Sequence, residues 1–385
     1  MIDYTAGSVP PLNLTADPAV SAALNGIPAI DFRSNFALAA AAGRGMPSML
    51  RDVVALRFGP GRLTSNEYYY YRLWEPGLSP DAKRRVIGKL AQQPMHLACN
   101  KLDWQAVASD KLLFHSIMRG AGLPMPELLG IAHASRSLPG IRSLRTQDKL
   151  AWFLRDSGNY PLFAKPIAGQ YSLAVLSADQ VAGETMTLRG ALPTASVYDA
   201  ARALAGGEDG FLIQRRLEPA QQIAAASGGR LWSIRLLVLL TPDGPVLHRA
   251  TAKIPAGSNP ADNYWRRGNL LAALDPKTGR VWRVVTGAAE TLHTVTQHPD
   301  TGADLIGLEI PRWSKTLDLV MAAAPLLPGI GTQSWDIAVA EAGPVILEVN
   351  FGGDLNLSQL ASGYGTLDEP FQEHLARHGY NHAKG

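Results

Sequence analysis

Asp336, Glu348 and Asn350, near the C-terminal end of the chain, have the residue types and the spacing to hold a hard divalent cation. They bracket two short apolar runs, Ile337–Val339 and Val345–Leu347, joined by Glu341-Ala342-Gly343-Pro344. That is how a β-hairpin reads when each strand is at least half buried. Asp336 then opens the first strand, and Glu348 and Asn350 close the second. Side chains alternate across a strand, so Glu348 and Asn350 share a face, and the turn brings Asp336 back to the same end of the hairpin. A cation such as Mg2+ takes carboxylate and carbonyl oxygens and keeps positions open for water and phosphate oxygens. Residues of these types also cap strands and turns, so the trio alone leaves both readings open.

Cationic residues sit at or within other apolar strands. Tyr160 to Pro166 reads as a strand ending in Lys165, followed by a small-residue turn, Ile167 to Ser172, and a second strand at Leu173–Leu176. A lysine leaving a strand beside such a turn can meet phosphate together with backbone N–H groups; a lysine at a strand end also commonly snorkels to solvent. Arg235 lies inside the long apolar strand Trp232 to Leu240, where an arginine is expensive to bury without an anionic partner. The turn Thr241-Pro242-Asp243-Gly244 folds Val246 to Lys253 back against it, which brings Lys253 toward the same region. Leu270–Leu274 and Val281–Val285 form a further hairpin, and Trp313 to Ala324 an amphipathic helix. Upstream, Ser109-Asp110-Lys111 caps a helix through Met118 that stops at Gly120-Ala121-Gly122. Gly210 to Gln214 is a buried-type strand that runs into polar residues through Glu218.

The elements that must position these residues form a mixed α+β body behind a helical N-terminal third. Residues 1 to 30 read as an irregular arm, and Asn35 to Ala42 as helical. Tyr68 to Tyr71 form an aromatic cluster suited to packing a subdomain interface. Pro80 to Gln93 reads as one helix capped by Ser79, with Lys83, Arg84, Arg85 and Lys89 on a solvated face. With 385 residues the chain calls for two or three subdomains. Its 46% hydrophobic and 18% charged content describes a globular protein, and a net charge of +3 spread along the chain makes no case for nucleic acid. The single cysteine, Cys99, excludes an internal disulfide, argues against a cysteine-based zinc site and suggests a reducing compartment. The nine histidines read as lacking metal-ligand spacing. Met1 to Thr5 lacks the features of a signal peptide, and no run approaches the roughly 18 apolar residues of a membrane span. The expected location is the cytoplasm.

Taken in order, Ser109-Asp110-Lys111, Lys165-Pro166, Ile213-Gln214, Arg235, Asp262-Asn263, Trp335-Asp336 and Glu348-Val349-Asn350 resemble the ATP-grasp superfamily. More narrowly, they resemble the sugar-transfer-associated ATP-grasp family, over residues 109 to 359. The resemblance implies an α+β fold in which two subdomains grip ATP. It divides the chain into a mostly helical region at 1–105, a lid subdomain at 106–215 and a C-terminal subdomain at 216–385. It also implies roles. Lys111 and Lys165 would contact the nucleotide phosphates, with Ser172 and Asn263 also on the nucleotide. Gln214 to Glu218 would form the hinge beside adenine, with Glu218 meeting the ribose. Asp336, Glu348 and Asn350 would hold one or two Mg2+, and Arg235 and Lys253 would stabilise the transferring phosphoryl group.

The chain departs from the family pattern in the modest glycine content of the turn after Lys165. It also has Phe351-Gly352-Gly353-Asp354 after Asn350, where relatives often have a proline-containing loop. Asp354 then either touches an acceptor amine or caps the next helix, and the cap is the simpler expectation. The implied activity is an ATP- and Mg-dependent carboxylate–amine ligase working through an acyl phosphate on small-molecule or peptide substrates. The alternatives are a phosphotransferase, a thiol or hydroxyl ligase, and a non-catalytic ATP-binding protein. Residues 352 to 365 and the N-terminal third are expected to shape the acceptor pocket. Nothing in the sequence speaks to oligomeric state.

Overall fold

β-Branched and aliphatic residues dominate residues 128–132, 211–215, 233–241, 244–254, 332–340 and 343–351, and in the structure, a computed structural model, all of these are strands. The residues described are 30–168, 175–189, 193–257, 259, 262 and 268–380. Ser172 and Asn263 lie outside them. The chain divides into two compact units, and each is described by itself. One comprises Asp110–Leu112 and Pro126–Arg216, and the other residues 30–109, Leu113–Met125 and 217–380.

The first unit is built on a sheet of β1 (Leu128–Ala132), β2 (Arg142–Ser143), β3 (Leu162–Pro166), β4 (Leu176–Ala182), β5 (Thr185–Leu188), β6 (Thr194–Ser196) and β7 (Phe211–Arg215). The strand order is β2-β1-β7-β3-β4-β5-β6. Alternation sends Leu162, Ala164 and Ile213 to one face, where they pack on Phe153, Leu154, Ala200 and Leu204 of the helices Gln147–Arg155 and Val197–Ala205. The other face carries Leu128, Ile131 and Leu212 with Leu112 and Ile167.

The second unit holds an antiparallel sheet of β8 (Ser233–Thr241), β9 (Gly244–Ile254), β10 (Leu270–Leu274), β11 (Val281–Thr286), β12 (His293–Thr294), β13 (Thr332–Ala340) and β14 (Gly343–Phe351), in the order β12-β11-β10-β9-β8-β13-β14. Trp232, Ile234, Leu236, Trp335 and Ile337 line the face packed on Leu319 and Val320 of the helix Trp313–Ala323. At about 1.5–3 kcal/mol per buried large side chain, this face is the main source of the unit's stability. The opposite face is only partly apolar. Leu237 and Leu239 meet Ala91, Met95, Phe371 and Leu375 from the helices Lys89–Cys99 and Glu369–Arg377. Leu271, Ala273 and Val285 meet Leu360 and Ala361 of the helix Leu355–Ser362. The stretch between these patches is polar.

The structure corrects three local expectations. Residues 80–93 form two helices, Pro80–Arg84 and Lys89–Cys99, because tertiary partners take over the backbone between them. The Gln359 side chain bonds both the N–H and the C=O of Ile87, Gly88 donates to Gly61 O, and the buried Glu67 carboxylate accepts the Lys89 N–H at 2.6 Å. Lys83 is buried rather than solvated, with Nζ 2.5 Å from Asp52. Asp336 does not open its strand: β13 begins at Thr332, so Asp336 is central and 2% exposed. The tyrosines meet helix residues of their own unit: Asn356 donates to the Tyr70 hydroxyl at 3.1 Å and Gln359 to that of Tyr71 at 3.2 Å. Asp354 caps the helix Leu355–Ser362, as expected, through Asn356 N at 3.1 Å.

Candidate active site

Strand register assembles the polar stretch of the second sheet. Arg235 stands opposite Asp336, and Asp336 opposite Glu348, so residues of three neighbouring strands form one row. Positions two residues away fall on the same face: Lys253 stands opposite Ser233, and Ser334 opposite Asn350. Lys253, Arg235, Asp336, Glu348 and Asn350 therefore share one face, beyond the apolar patches around Leu237 and Leu271.

Within the row charges are matched at close range. Arg235 Nε donates to Asp336 Oδ1 at 2.8 Å and Nη2 to Oδ2 at 2.7 Å, while Lys253 Nζ donates to Oδ2 at 3.1 Å. This bidentate pairing is the anionic partner that the burial of Arg235 requires. Burial alone would raise the Asp336 carboxyl, but Arg235 and then Lys253 outweigh it and hold the group far below the usual carboxylate range. Burial pushes Arg235 down, and Asp336 more than reverses this. Asp262 completes the cluster. Its carboxylate accepts the backbone N–H of Ser233 at 2.9 Å and the Ser233 hydroxyl, and lies 4.0 Å from Lys253 Nζ. Asp262 belongs to the Asp262-Asn263 pair that carries the resemblance, but the role expected there fell to Asn263, although an acidic residue in a loop following a lysine-ended strand was the available signal.

Glu348 and Asn350 occupy the rim of the row and are partly exposed, with Asn350 Nδ2 donating to Ser334 O at 3.3 Å. Beside Thr251, which stands opposite Arg235, a cavity of about 330 Å3 is lined by Arg85, Arg249, Trp282, Ser358 and Tyr364. Trp282 and Tyr364 stack there with ring centroids 6.1 Å apart.

The remaining candidates lie elsewhere. Lys111 and Lys165 are in the first unit and near each other along the backbone, because Lys111 N donates to Ile167 O at 2.9 Å. Lys165 stands opposite Leu212, and Phe163 opposite Gln214, so Lys165 and Gln214 share the face turned away from the helices Gln147–Arg155 and Val197–Ala205. Gln214 is buried. The chain passes into the second unit after Arg216. There Glu218 is exposed, and its carbonyl accepts Glu341 N at 2.9 Å, beside the β13–β14 turn rather than on the Asp336 row.

Residues 93–373 match the family described as sugar-transfer associated ATP-grasp. The chain belongs to that family. Among curated proteins none matches. Solved structures that resemble this ATP-grasp chain include the D-alanine-D-alanine ligase from Coxiella burnetii, at 14% identity and TM-score 0.39, over 73% of this chain and 60% of that one. Also similar are a D-alanine--D-alanine ligase from Bacillus anthracis (13%, 0.40, covering 74% and 75%) and a biotin carboxylase from Campylobacter jejuni (11%, 0.40, covering 74% and 49%). The chain thus spans three-fifths of the first of these neighbours. ATP-grasp proteins generally use ATP and Mg2+. Among the described residues no helix is long and apolar enough to cross a membrane.

The donor set on the row suits such a cation. It offers two carboxylates and one amide oxygen, all hard ligands, next to two cations able to meet phosphate oxygens. Asp336 already accepts three hydrogen bonds of the roughly four a carboxylate can take. A metal would therefore compete with Arg235 and Lys253 for it, while Glu348 and Asn350 are the more accessible ligands.

Proposed function

We propose that the protein is an ATP- and Mg-dependent carboxylate–amine ligase. The observation that carries this reading is the single-face row Lys253–Arg235–Asp336–Glu348–Asn350, in which two cations and three oxygen ligands are fixed by strand pairing. In this reading Glu348, Asn350 and Asp336 hold Mg2+, whose charge offsets that of the phosphates. Lys111 and Lys165 bind the phosphates, with Ser172 and Asn263 also on the nucleotide. Gln214 and Glu218 flank the base and ribose. A substrate carboxylate oxygen attacks the γ-phosphorus, the bond to the β-bridging oxygen breaks, and ADP leaves an acyl phosphate. An amine then displaces phosphate to give an amide. Arg235 and Lys253 stabilise the charge that builds on the transferring group, since this chemistry needs positioning and electrostatics far more than a protein nucleophile. The cavity beside Thr251, bounded by Arg85 from the N-terminal third and by Ser358 and Tyr364, suits the acceptor in size and polarity. The proposed compartment is the cytoplasm.

Thermal shift with ATP or ADP, with and without Mg2+, tests the nucleotide site. The expected result is a rise in Tm that needs Mg2+ and weakens in Glu348→Ala. Absence of any shift sinks the reading. Phosphate analysis then separates reaction classes: free phosphate appearing only with both carboxylate and amine supports a ligase, and phosphate retained on a product identifies a phosphotransferase instead.

A further inference from the structure

Away from the row, three side chains that the function leaves unused converge at one end of the second sheet. Cys99, His374 and His378 place one ligand atom each within 4.8 Å of one another. Cys99 ends the helix Lys89–Cys99, His374 lies in the last turn of the helix Glu369–Arg377, and His378 follows that helix directly. The histidines have i, i+4 spacing, which puts both rings on one side of a helical turn. His374 and His378 thus do have a ligand spacing, contrary to the expectation from the sequence.

The hydrogen bonds around the cluster prepare it for a metal. His378 Nδ1 lies 2.9 Å from the carbonyl oxygen of His374. A carbonyl can only accept, so Nδ1 carries a proton and, in the neutral ring, Nε2 presents the lone pair that a metal requires. That Nε2 faces the turn joined by Gly331 N and Cys99 O, because a Cβ on Gly331 would come within 2.9 Å of it. His374 is 1% exposed; its Nε2 meets Thr332 Oγ1 at 3.1 Å, and its Nδ1 has no hydrogen-bond partner among the described residues. Cys99 is buried as well, and His378 is the member nearest solvent. Around a tetrahedral zinc with bonds of about 2.0–2.3 Å, ligand atoms stand roughly 3.3–3.6 Å apart, so small side-chain adjustments would close the site.

We propose that Cys99, His374 and His378 bind one borderline-soft transition-metal dication of the zinc class, with a fourth position open. One thiolate and two imidazoles select such a metal over Mg2+, which prefers oxygen. Binding forms one S–metal and two N–metal bonds and releases the thiol proton to solvent. The site lies beside Thr332, four residues before Asp336 on β13, hence about 13 Å from the row at the usual strand rise. It joins the N-terminal helix Lys89–Cys99 to the C-terminal helix Glu369–Arg377, and its role is to clamp them.

The test strips the full-length protein with a chelator and titrates it with Zn2+ and with Co2+. The expected result is one equivalent bound at micromolar concentration or below, a thiolate-to-cobalt charge-transfer band, and a metal-dependent rise in Tm. Cys99→Ser abolishes the band, and His378→Gln, which removes a coordinating nitrogen, weakens binding by at least the roughly tenfold that loss of an outer-shell partner costs. His378→Gln, at the more accessible position, keeps the test valid should Cys99→Ser fold poorly. Glu348→Ala leaves Zn2+ binding intact, which separates this site from the proposed Mg2+ site. Absence of saturable binding, a band that survives Cys99→Ser, or loss of Zn2+ binding in Glu348→Ala each overturns the proposal.

Discussion

The inner end of the polar row differs in kind from its rim. At the inner end Asp336 and Lys253 are buried and Arg235 is largely so, with 15% of its side chain exposed, and the three satisfy one another at 2.7–3.1 Å, so each charge is tolerable because the others are present. At the rim, Glu348 and Asn350 are partly exposed to water. The same sheet face thus carries charges locked to one another and polar groups open to solvent. Substitutions at the inner end should cost both stability and turnover, and substitutions at the rim turnover only.

Arg235→Ala should have the largest effect. It leaves the buried Asp336 with Lys253 as its near cation, an imbalance worth about 3–5 kcal/mol of stability. It also removes a donor to the transferring group, worth about 10²-fold or more in turnover. Denaturant unfolding and steady-state rates measured on the same preparation check both, and unchanged stability would erase the distinction between inner end and rim.

Asp336→Asn should cost somewhat less stability, roughly 2–4 kcal/mol, by leaving two cations under-compensated. The folded carboxyl is held below its unfolded value, so its contribution is complete above the ordinary carboxylate range near pH 4. It is lost as the pH falls toward the folded pKa. The gap between wild type and Asp336→Asn should therefore be constant near neutrality and narrow in acid. A gap that widens on acidification would mean that Asp336 is not the paired anion.

Glu348→Ala should raise the Mg2+ concentration needed for half-maximal activity while moving stability by no more than about 0.5 kcal/mol, the usual range for exposed sites. A Mg2+ titration and an unfolding curve on one sample decide it. A stability loss as large as that of Arg235→Ala would extend the structural role to the rim.

These contrasts explain what the sequence could and could not disclose. The β13–β14 hairpin was legible because two apolar runs around Glu341-Ala342-Gly343-Pro344 specify it, the turn itself being Glu341-Ala342, and an arginine in an apolar strand announced a hidden anion. That the anion is Asp336 was not legible, because β8 and β13 are adjacent only through tertiary pairing. The start of β13 was misplaced because Thr332, Gln333 and Ser334 are polar yet buried beneath other elements. The break at residues 85–88 has the same origin: Gln359 and Glu67, distant in sequence, replace the helical hydrogen bonds. Cys99 and the His374–His378 pair lie in different thirds of the chain, so only the fold joins them.

A buried histidine holds the rim from below. His96 is 8% exposed and packs under the turn after Asn350, with Nε2 2.9 Å from Gly353 O. A Cβ on Gly352 would approach its ring to 2.3 Å, which is one reason the turn there uses glycine. Burial pushes the imidazole down to about 4, against the partial restoring effect of the Gly353 bond and Asp354. Since the unfolded chain takes the proton first, the stability owed to a neutral His96 is complete above about pH 6.5 and is lost progressively as the pH falls toward 4. His96→Gln keeps a donor for Gly353 and removes the titration. Between pH 6.5 and 5 the wild type should therefore lose about 1–2 kcal/mol more stability than the variant. Parallel stability curves for the two proteins would mean that His96 does not titrate against the fold, and that the turn carrying the rim residues is supported by its glycines and by Asp354 instead.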